Sequence, residues 1–187
     1  MTDGMFHPPT HVLENAMSQL LRGPTLIAAT MTMGLMAGLF TAFAYSVMPG
    51  LHRTGDRTFV EAMQRINVAI LNGWFLIAFL GALVFTALAV VFHLGDGRRS
   101  VLPWAVAALV LYAAVLVITM RINVPLNDRL NGAGSPDKIP DLAAVRQHFE
   151  TKWVYWNIVR AVASTAAFGC LTWALVLYGR ISAPPGS

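Results

Sequence analysis

The chain has 187 residues, of which 56% are hydrophobic and only 12% charged, with a formal net charge of +4. That balance belongs to an integral membrane protein rather than a solvated domain, and its basic residues are scattered with no basic run, which excludes a nucleic-acid surface. A lone cysteine, Cys170, excludes an intrachain disulfide.

In chain order, Thr10 is placed to cap a short helix whose Val12, Leu13, Met17, Leu20 and Leu21 share one side. Gly23-Pro24 is expected to end it, so residues 1–23 read as an amphipathic segment lying along the membrane surface. The first apolar run covers residues 24–47, where Gly34 and Gly38 form a small-xxx-small face suited to close packing inside a bundle. The chain turns at Pro49-Gly50, and Thr58-Phe59-Val60-Glu61 has the spacing of a capping box. No breaker follows before Gly95, so one helix of roughly 55 Å at about 1.5 Å per residue is expected, its crossing at residues 68–93. A tight turn at residues 95–100 leads to a third run at 101–120, beyond which Pro125 should kink the helix. Pro140-Asp141 can start a last helix that continues through Trp153 and Asn157 into a fourth run at 161–178.

Inside those four runs there is no Asp, Glu, Lys or Arg, as expected when a central charge costs about 2.5 to 3.5 kcal/mol on insertion. The expected architecture is all-α: a four-helix transmembrane bundle over residues 24–180, a short N-terminal interfacial helix, helices extended beyond the membrane on one face, and a disordered tail at 181–187. The partner this implies is the lipid bilayer, and the expected location is the plasma membrane. Both long connections lie on one side, so the chain is elaborated there. Only Arg22, Arg98, Arg99 and Arg180 lie opposite, and by basic-residue count the elaborated side is cytoplasmic.

Arg-Ile-Asn-Val occurs twice, at Arg65-Ile66-Asn67-Val68 and Arg121-Ile122-Asn123-Val124, and a third pair is Asn157 and Arg160. One copy enters a crossing and the other leaves one, so they are not copies of an internal repeat. What they share is a membrane level, where opposite chain directions converge on one polar layer. Thr119, Asn123 and Asn127 are spaced by four, while Trp153, Asn157, Arg160 and Ser164 follow a 4-3-4 stripe. Gln64 and Asn67 share a face, with Asn72 further in. Neutral amides donate and accept, and arginine can fix a planar anion or enolate through its forked donors, so this layer could hold an oxygenated aromatic ring.

Plainer readings stand beside that one. Arg65, Arg121 and Arg160 can snorkel to headgroups, Trp156 suits an interfacial belt, and the asparagines can bond one another between helices. His52 and His148 lie on the elaborated side and could serve as bases, although exposed loop histidines are the commoner outcome. A metal site would need His52, Glu61, His148 and Glu150 from separate segments, and none of the usual ligand spacings is present.

Four stretches together resemble the anthrone oxygenase-like membrane family: Met48-Pro49-Gly50-Leu51, Met63-Gln64-Arg65-Ile66-Asn67, Thr119 through Asn127, and Trp153 with Asn157 and Arg160. The likeness extends over residues 34–179. It implies oxidation of an anthrone-type or other phenolic polyketide to a quinone by dioxygen, as a monooxygenase without an organic cofactor, a metal being left open. Under that resemblance His52 or His148 is the base, and Arg160 and Arg65 stabilise the enolate. Asn67, Arg121, Asn123, Asn127 and Asn157 surround the ring, and Trp153 stacks on it. The alternative is a non-catalytic accessory subunit that docks a larger membrane protein, its polar layer an interhelical hydrogen-bond clasp. A coupled transporter is disfavoured, since no midplane charge, broken helix pair or inverted repeat is present.

Overall fold

The computed structural model describes residues 10–94 and 100–182, with the side chains of residues 10–18 left aside. Helix α1 (Thr10–Ala42) passes through a π-helical turn (Phe43–Val47) into α2 (Met48–His52), followed by α3 (Asp56–Ala69) and α4 (Gly73–Phe92). Helix α5 (Leu102–Ile118) likewise passes through a π-helical turn (Thr119–Asn123) into α6 (Val124–Gly132). A 3₁₀ turn (Pro136–Lys138) then leads to α7 (Leu142–Ser182). Among the described residues there is no strand, and four helical stretches are long and apolar enough to cross a membrane. The protein is a four-helix transmembrane bundle, as its composition implied.

Several local expectations are corrected. Gly23-Pro24 does not end a helix, because α1 runs straight through it. Its neighbourhood is well supported: the Arg22 Nε–H donates to the Phe92 carbonyl at 2.7 Å, and Gly23 lies against the Tyr178 ring. The capping box at Thr58 is not used, since the helix already starts at Asp56 and Glu61 pairs with Arg65 instead. The long second helix is in fact broken at residues 70–72. There the Asn72 amide donates to the Ala69 carbonyl (2.9 Å) and its oxygen accepts from the Phe75 N–H (3.1 Å), joining the end of α3 to the start of α4. The sequence carried a signal here, since Asn72-Gly73 is a turn-marking dipeptide, and the expectation of an unbroken helix to Gly95 passed over it. The expected start of the last helix holds: the Asp141 carboxylate accepts from the Ala144 N–H at 2.9 Å. Most of the tail assigned to 181–187 falls outside the described residues, and Ile181 and Ser182 still belong to α7.

Proline accounts for both π-turns. Pro49 and Pro125 have no N–H, and each ring would crowd the carbonyl four residues back. In each case the backbone immediately upstream widens to a five-residue hydrogen bond, Met48 N–H to the Phe43 carbonyl and Val124 N–H to the Thr119 carbonyl. The kink expected at Pro125 is thus absorbed as a π-turn, and the helix continues.

Two apolar cores result. The membrane core contains Leu26, Met33, Phe40, Phe79, Tyr112, Val115 and Leu171. A Cβ at Gly34 would come to 3.0 Å from the Phe168 ring, so a larger residue there would push that ring aside where α1 meets α7, whereas a Cβ at Gly38 meets nothing. A second core, formed by Met48, Phe59, Met63, Leu126, Leu130, Phe149 and Trp153, gathers α2, α3, α6 and the first turns of α7 into a cap. Polar clamps lock the cap. Arg146 donates to the Glu150 carboxylate (2.6 Å), the Thr54 and His52 carbonyls (2.9 and 2.8 Å) and Asp56 (3.0 Å), while its guanidinium lies 4.6 Å from the Phe59 ring centre. Gln64 donates to the carbonyls of Leu130 and Gly134 (2.8 and 3.0 Å), satisfying acceptors that the end of α6 leaves open.

Since Arg146 ties the 52–56 turn to α7, Arg146→Ala should destabilise the protein by about 2–3 kcal/mol. Arg146→Lys should recover only part of this, because an ammonium cannot reproduce the fork. Heating the purified protein and following its monodisperse fraction by size exclusion checks both.

Candidate functional site

A cavity of ≈ 370 Å³ lies where the membrane core meets the cap. Four parts of the chain wall it. The end of α1 and the first π-turn give Leu39, Phe40 and Phe43, and the end of α3, the break and the start of α4 give Asn67, Leu71, Phe75, Leu76, Phe79 and Leu80. The π-turn and α6 give Thr119, Met120, Asn123, Val124, Asn127, Asp128 and Asn131, and α7 gives Trp153, Asn157 and Arg160. Most of the wall is apolar, and the polar groups are concentrated on α6 and α7.

Arg160 is the centre of this site. Its side chain is buried, with one Nη–H donating to the Thr119 hydroxyl (3.3 Å) and the other to the Asn157 amide oxygen (3.0 Å). Asn157 is itself held, since its NH₂ donates to the Phe40 carbonyl at 3.0 Å. The guanidinium carbon sits 4.5 Å from the Phe40 ring centre and 5.5 Å from that of Trp153, so aromatic faces supply much of its electrostatic support. Trp153 is oriented by its indole N–H, which donates to the Asn127 amide oxygen at 2.8 Å, and its ring stacks on Phe149. At the cap end, Asn67 donates weakly to Asn131 (3.4 Å), and Asn123 reaches the Trp153 carbonyl at 3.5 Å. Around this cluster the Arg160 Nε, the Asn123 Oδ1 and the Ser164 Oγ are buried with no hydrogen-bond partner among the described residues. The first two belong to residues of the cavity wall, so a donor and an acceptor with unmet hydrogen-bonding demand lie at the site.

The expected residues divide by helical phase. Asn67, Asn123, Asn127, Trp153, Asn157 and Arg160 line the cavity. Arg65 and Arg121 do not. In Arg-Ile-Asn the arginine stands two residues from the asparagine, about 200° around a helix, so turning Asn67 or Asn123 inward turns its arginine outward. Arg65 is accordingly exposed and paired with Glu61 at 2.7 Å, and Arg121 is exposed. Asn157 and Arg160 are three apart and share a face, which is why this arginine alone of the three is inside. His52 lies outside the cavity with its Nδ1 2.7 Å from the Glu150 carboxylate, and His148 Nδ1 bonds the Ala144 carbonyl at 3.0 Å. The four-ligand set is not assembled, because Glu61 and His148 point elsewhere; among the described residues no cluster of three His, Cys, Asp or Glu side chains forms.

Other site residues went unread in the sequence. Asn131 continues the four-residue spacing of Thr119, Asn123 and Asn127, a signal that was available. Asp128, beside it, supplies the carboxylate of the wall. Phe40, which offers both a ring and a carbonyl to the arginine–asparagine pair, has no local signature and needed the fold.

Fold and site together define a class: a four-helix membrane protein whose crossings close on a cavity built around one buried arginine. A family model for anthrone oxygenase matches residues 74–170, more than half of the chain, and the chain belongs to that family. The match begins at the first turn of α4 and contains Thr119, Asn123, Asn127, Trp153, Asn157 and Arg160. No curated protein and no solved structure matches the chain.

If Asn157 holds Arg160 in place, Asn157→Leu should strip the guanidinium of its best acceptor and cost about 2–4 kcal/mol of stability. The double variant Asn157→Leu/Arg160→Met should regain much of that loss, because the buried charge is removed along with its partner. Thermal unfolding of the single and double variants in one detergent gives the comparison.

Proposed function

We propose that the cavity binds a planar, oxygenated polycyclic aromatic of the anthrone type and promotes its oxidation by dioxygen to the quinone. The observation that carries this reading is the buried Arg160 on the wall of an aromatic-lined cavity, with its Nε left unsatisfied. At ≈ 370 Å³ the cavity is within the usual range for small-molecule pockets, about 300–1,000 Å³. Family membership supports the reaction class.

The chemistry asks little of a protein. Loss of one proton from the anthrone methylene gives an enolate delocalised over an aromatic ring. That enolate passes one electron to dioxygen, and the resulting carbon radical and superoxide combine into a hydroperoxide at the methylene carbon. Loss of the remaining methylene hydrogen with cleavage of the O–O bond gives the quinone carbonyl and one water, so one dioxygen is consumed per anthrone. Arg160 donates to the enolate oxygen, and its fixed position means that little reorganisation accompanies charge development. Thr119 and Asn157 hold the guanidinium, while Phe40, Phe43 and Trp153 receive the ring faces. The walls formed by Phe75 and Phe79 keep bulk water from the enolate and strengthen its contact with arginine. Asp128, on the wall and exposed at its outer side, takes the proton in place of His52 or His148 and can release it to water.

The hydrogen-bond chain from Phe40 through Asn157 and Arg160 to Thr119 favours a second reading, an interhelical clasp in an accessory subunit. The two differ in what they leave unsatisfied: a finished clasp has no reason to bury a free Arg160 Nε and Asn123 Oδ1 beside an empty volume.

Purified protein in nanodiscs should raise dioxygen uptake and quinone formation from anthrone above a protein-free control. Arg160→Met should lower the accelerated rate by about 10²-fold or more, as removal of an oxyanion donor does, whereas Arg65→Met should stay within about twofold. Uptake equal to the control would reject the oxygenase reading. Full activity in both Asn123→Ser and Arg160→Met would favour the clasp.

A further inference from the structure

The seam between α4 and α5 differs from the others in the bundle. Helix α4 packs mainly on α1, and α5 mainly on α7. The lower part of the α4–α5 seam is sealed by Tyr112, whose hydroxyl donates to the Phe79 carbonyl at 2.9 Å and whose ring meets Phe79 edge-on. Above that seal the seam opens. Leu76 and Leu80 on one side and Met120 and Val124 on the other all line the cavity, yet they are 43%, 51%, 59% and 36% exposed. The same side chains therefore form cavity wall and outer surface.

That outer surface faces lipid. Helix α4 has 20 residues, a rise of about 30 Å that just matches the hydrocarbon core. Leu80 lies seven residues inside its start, about 10 Å below the boundary at 1.5 Å per residue. The helix break at 70–72 frees α4 from α3 directly above this point, and the preceding Leu71 is exposed as well. The water side is more obstructed, since the cap core packs over the cavity and Asn67 contacts Asn131 across it.

We propose that this seam is a lateral portal through which the ligand enters from the bilayer, between Leu76/Leu80 and Met120/Val124. The substrate class follows, given the reading of the cavity as an aromatic-ketone site. It is an uncharged, membrane-partitioned polycycle that slides in edge-on, with its oxygenated edge leading toward Arg160 and Asn123. A charged or sugar-bearing aromatic would be excluded by the apolar mouth, whatever its fit at the polar end. Product leaves by the same route, so the quinone is delivered to the membrane.

Access can be read without any turnover. In a Cys170→Ala background, Thr119→Cys puts a thiol at the polar end of the cavity beside Arg160, whose positive charge favours the reactive thiolate. Reconstituted into nanodiscs, and with each rate taken relative to that reagent's rate with free cysteine, it should react with N-phenylmaleimide, which partitions into lipid, at least tenfold faster than with a sulfonated methanethiosulfonate that stays in water. Leu80→Trp or Met120→Trp should slow the maleimide at least fivefold. Phe75→Cys provides a second position on the wall if the Thr119 variant does not fold. Equal or faster labelling by the charged reagent, no labelling by the apolar one, or tryptophans that leave its rate unchanged would each overturn the portal. Labelling that follows the expected pattern, with the unsubstituted protein inactive on anthrone, supports the portal and removes the anthrone reading, so the two proposals fail separately.

Discussion

A guanidinium buried in an apolar bundle must be given acceptors and aromatic faces, and the rest of the cavity is arranged around meeting that demand for Arg160. One helix cannot do so alone. Asn157, one turn earlier on α7, supplies an oxygen, but its own NH₂ then needs the Phe40 carbonyl of α1. Thr119 supplies a second oxygen from the π-turn after α5, and the rings of Phe40 and Trp153 flank the charge. Three crossings are therefore locked at one level by a single side chain. The demand is not fully met, since the Nε is left without a partner.

Helix irregularities give that cluster its room. Regular α-helices with long apolar faces would close against each other as they do lower in the membrane core. Two π-turns upstream of Pro49 and Pro125 and the break stapled by Asn72 fall near the same level, on three of the four crossings. Each changes helical phase or direction, so α4 and α5 separate above the Tyr112–Phe79 contact while the cap, locked by Arg146 and Gln64, fixes the upper ends. Departures of this kind are common at functional sites because they widen a bundle without leaving backbone groups unpaired.

The role of each arginine shows how far local pattern reaches. Arginine and asparagine are two positions apart in both Arg-Ile-Asn-Val strings and three positions apart in Asn157 and Arg160; helical geometry then makes the first pairs diverge and the second converge. That difference was legible, and so was the continuation of the four-residue series to Asn131. The break at Asn72 had a signal in the Asn72-Gly73 dipeptide, but whether that asparagine caps a new helix depends on what α3 and α4 pack against. The separation of His52 and His148 from the cavity was not legible, since it follows from how α7 is seated beside the 52–56 turn.

By itself, then, the sequence determined the four crossings, their antiparallel order, the side on which the chain is elaborated and the polar stripe on α7. Those depend on composition and helical period, which are local properties of the chain. Only the tertiary structure decided which polar side chains face one another, that Phe40 supplies both ring and carbonyl, and that a sealed seam opens into a cavity at the level of Arg160. Contacts between segments far apart in the chain select these features, and the burial of one charge ties them together.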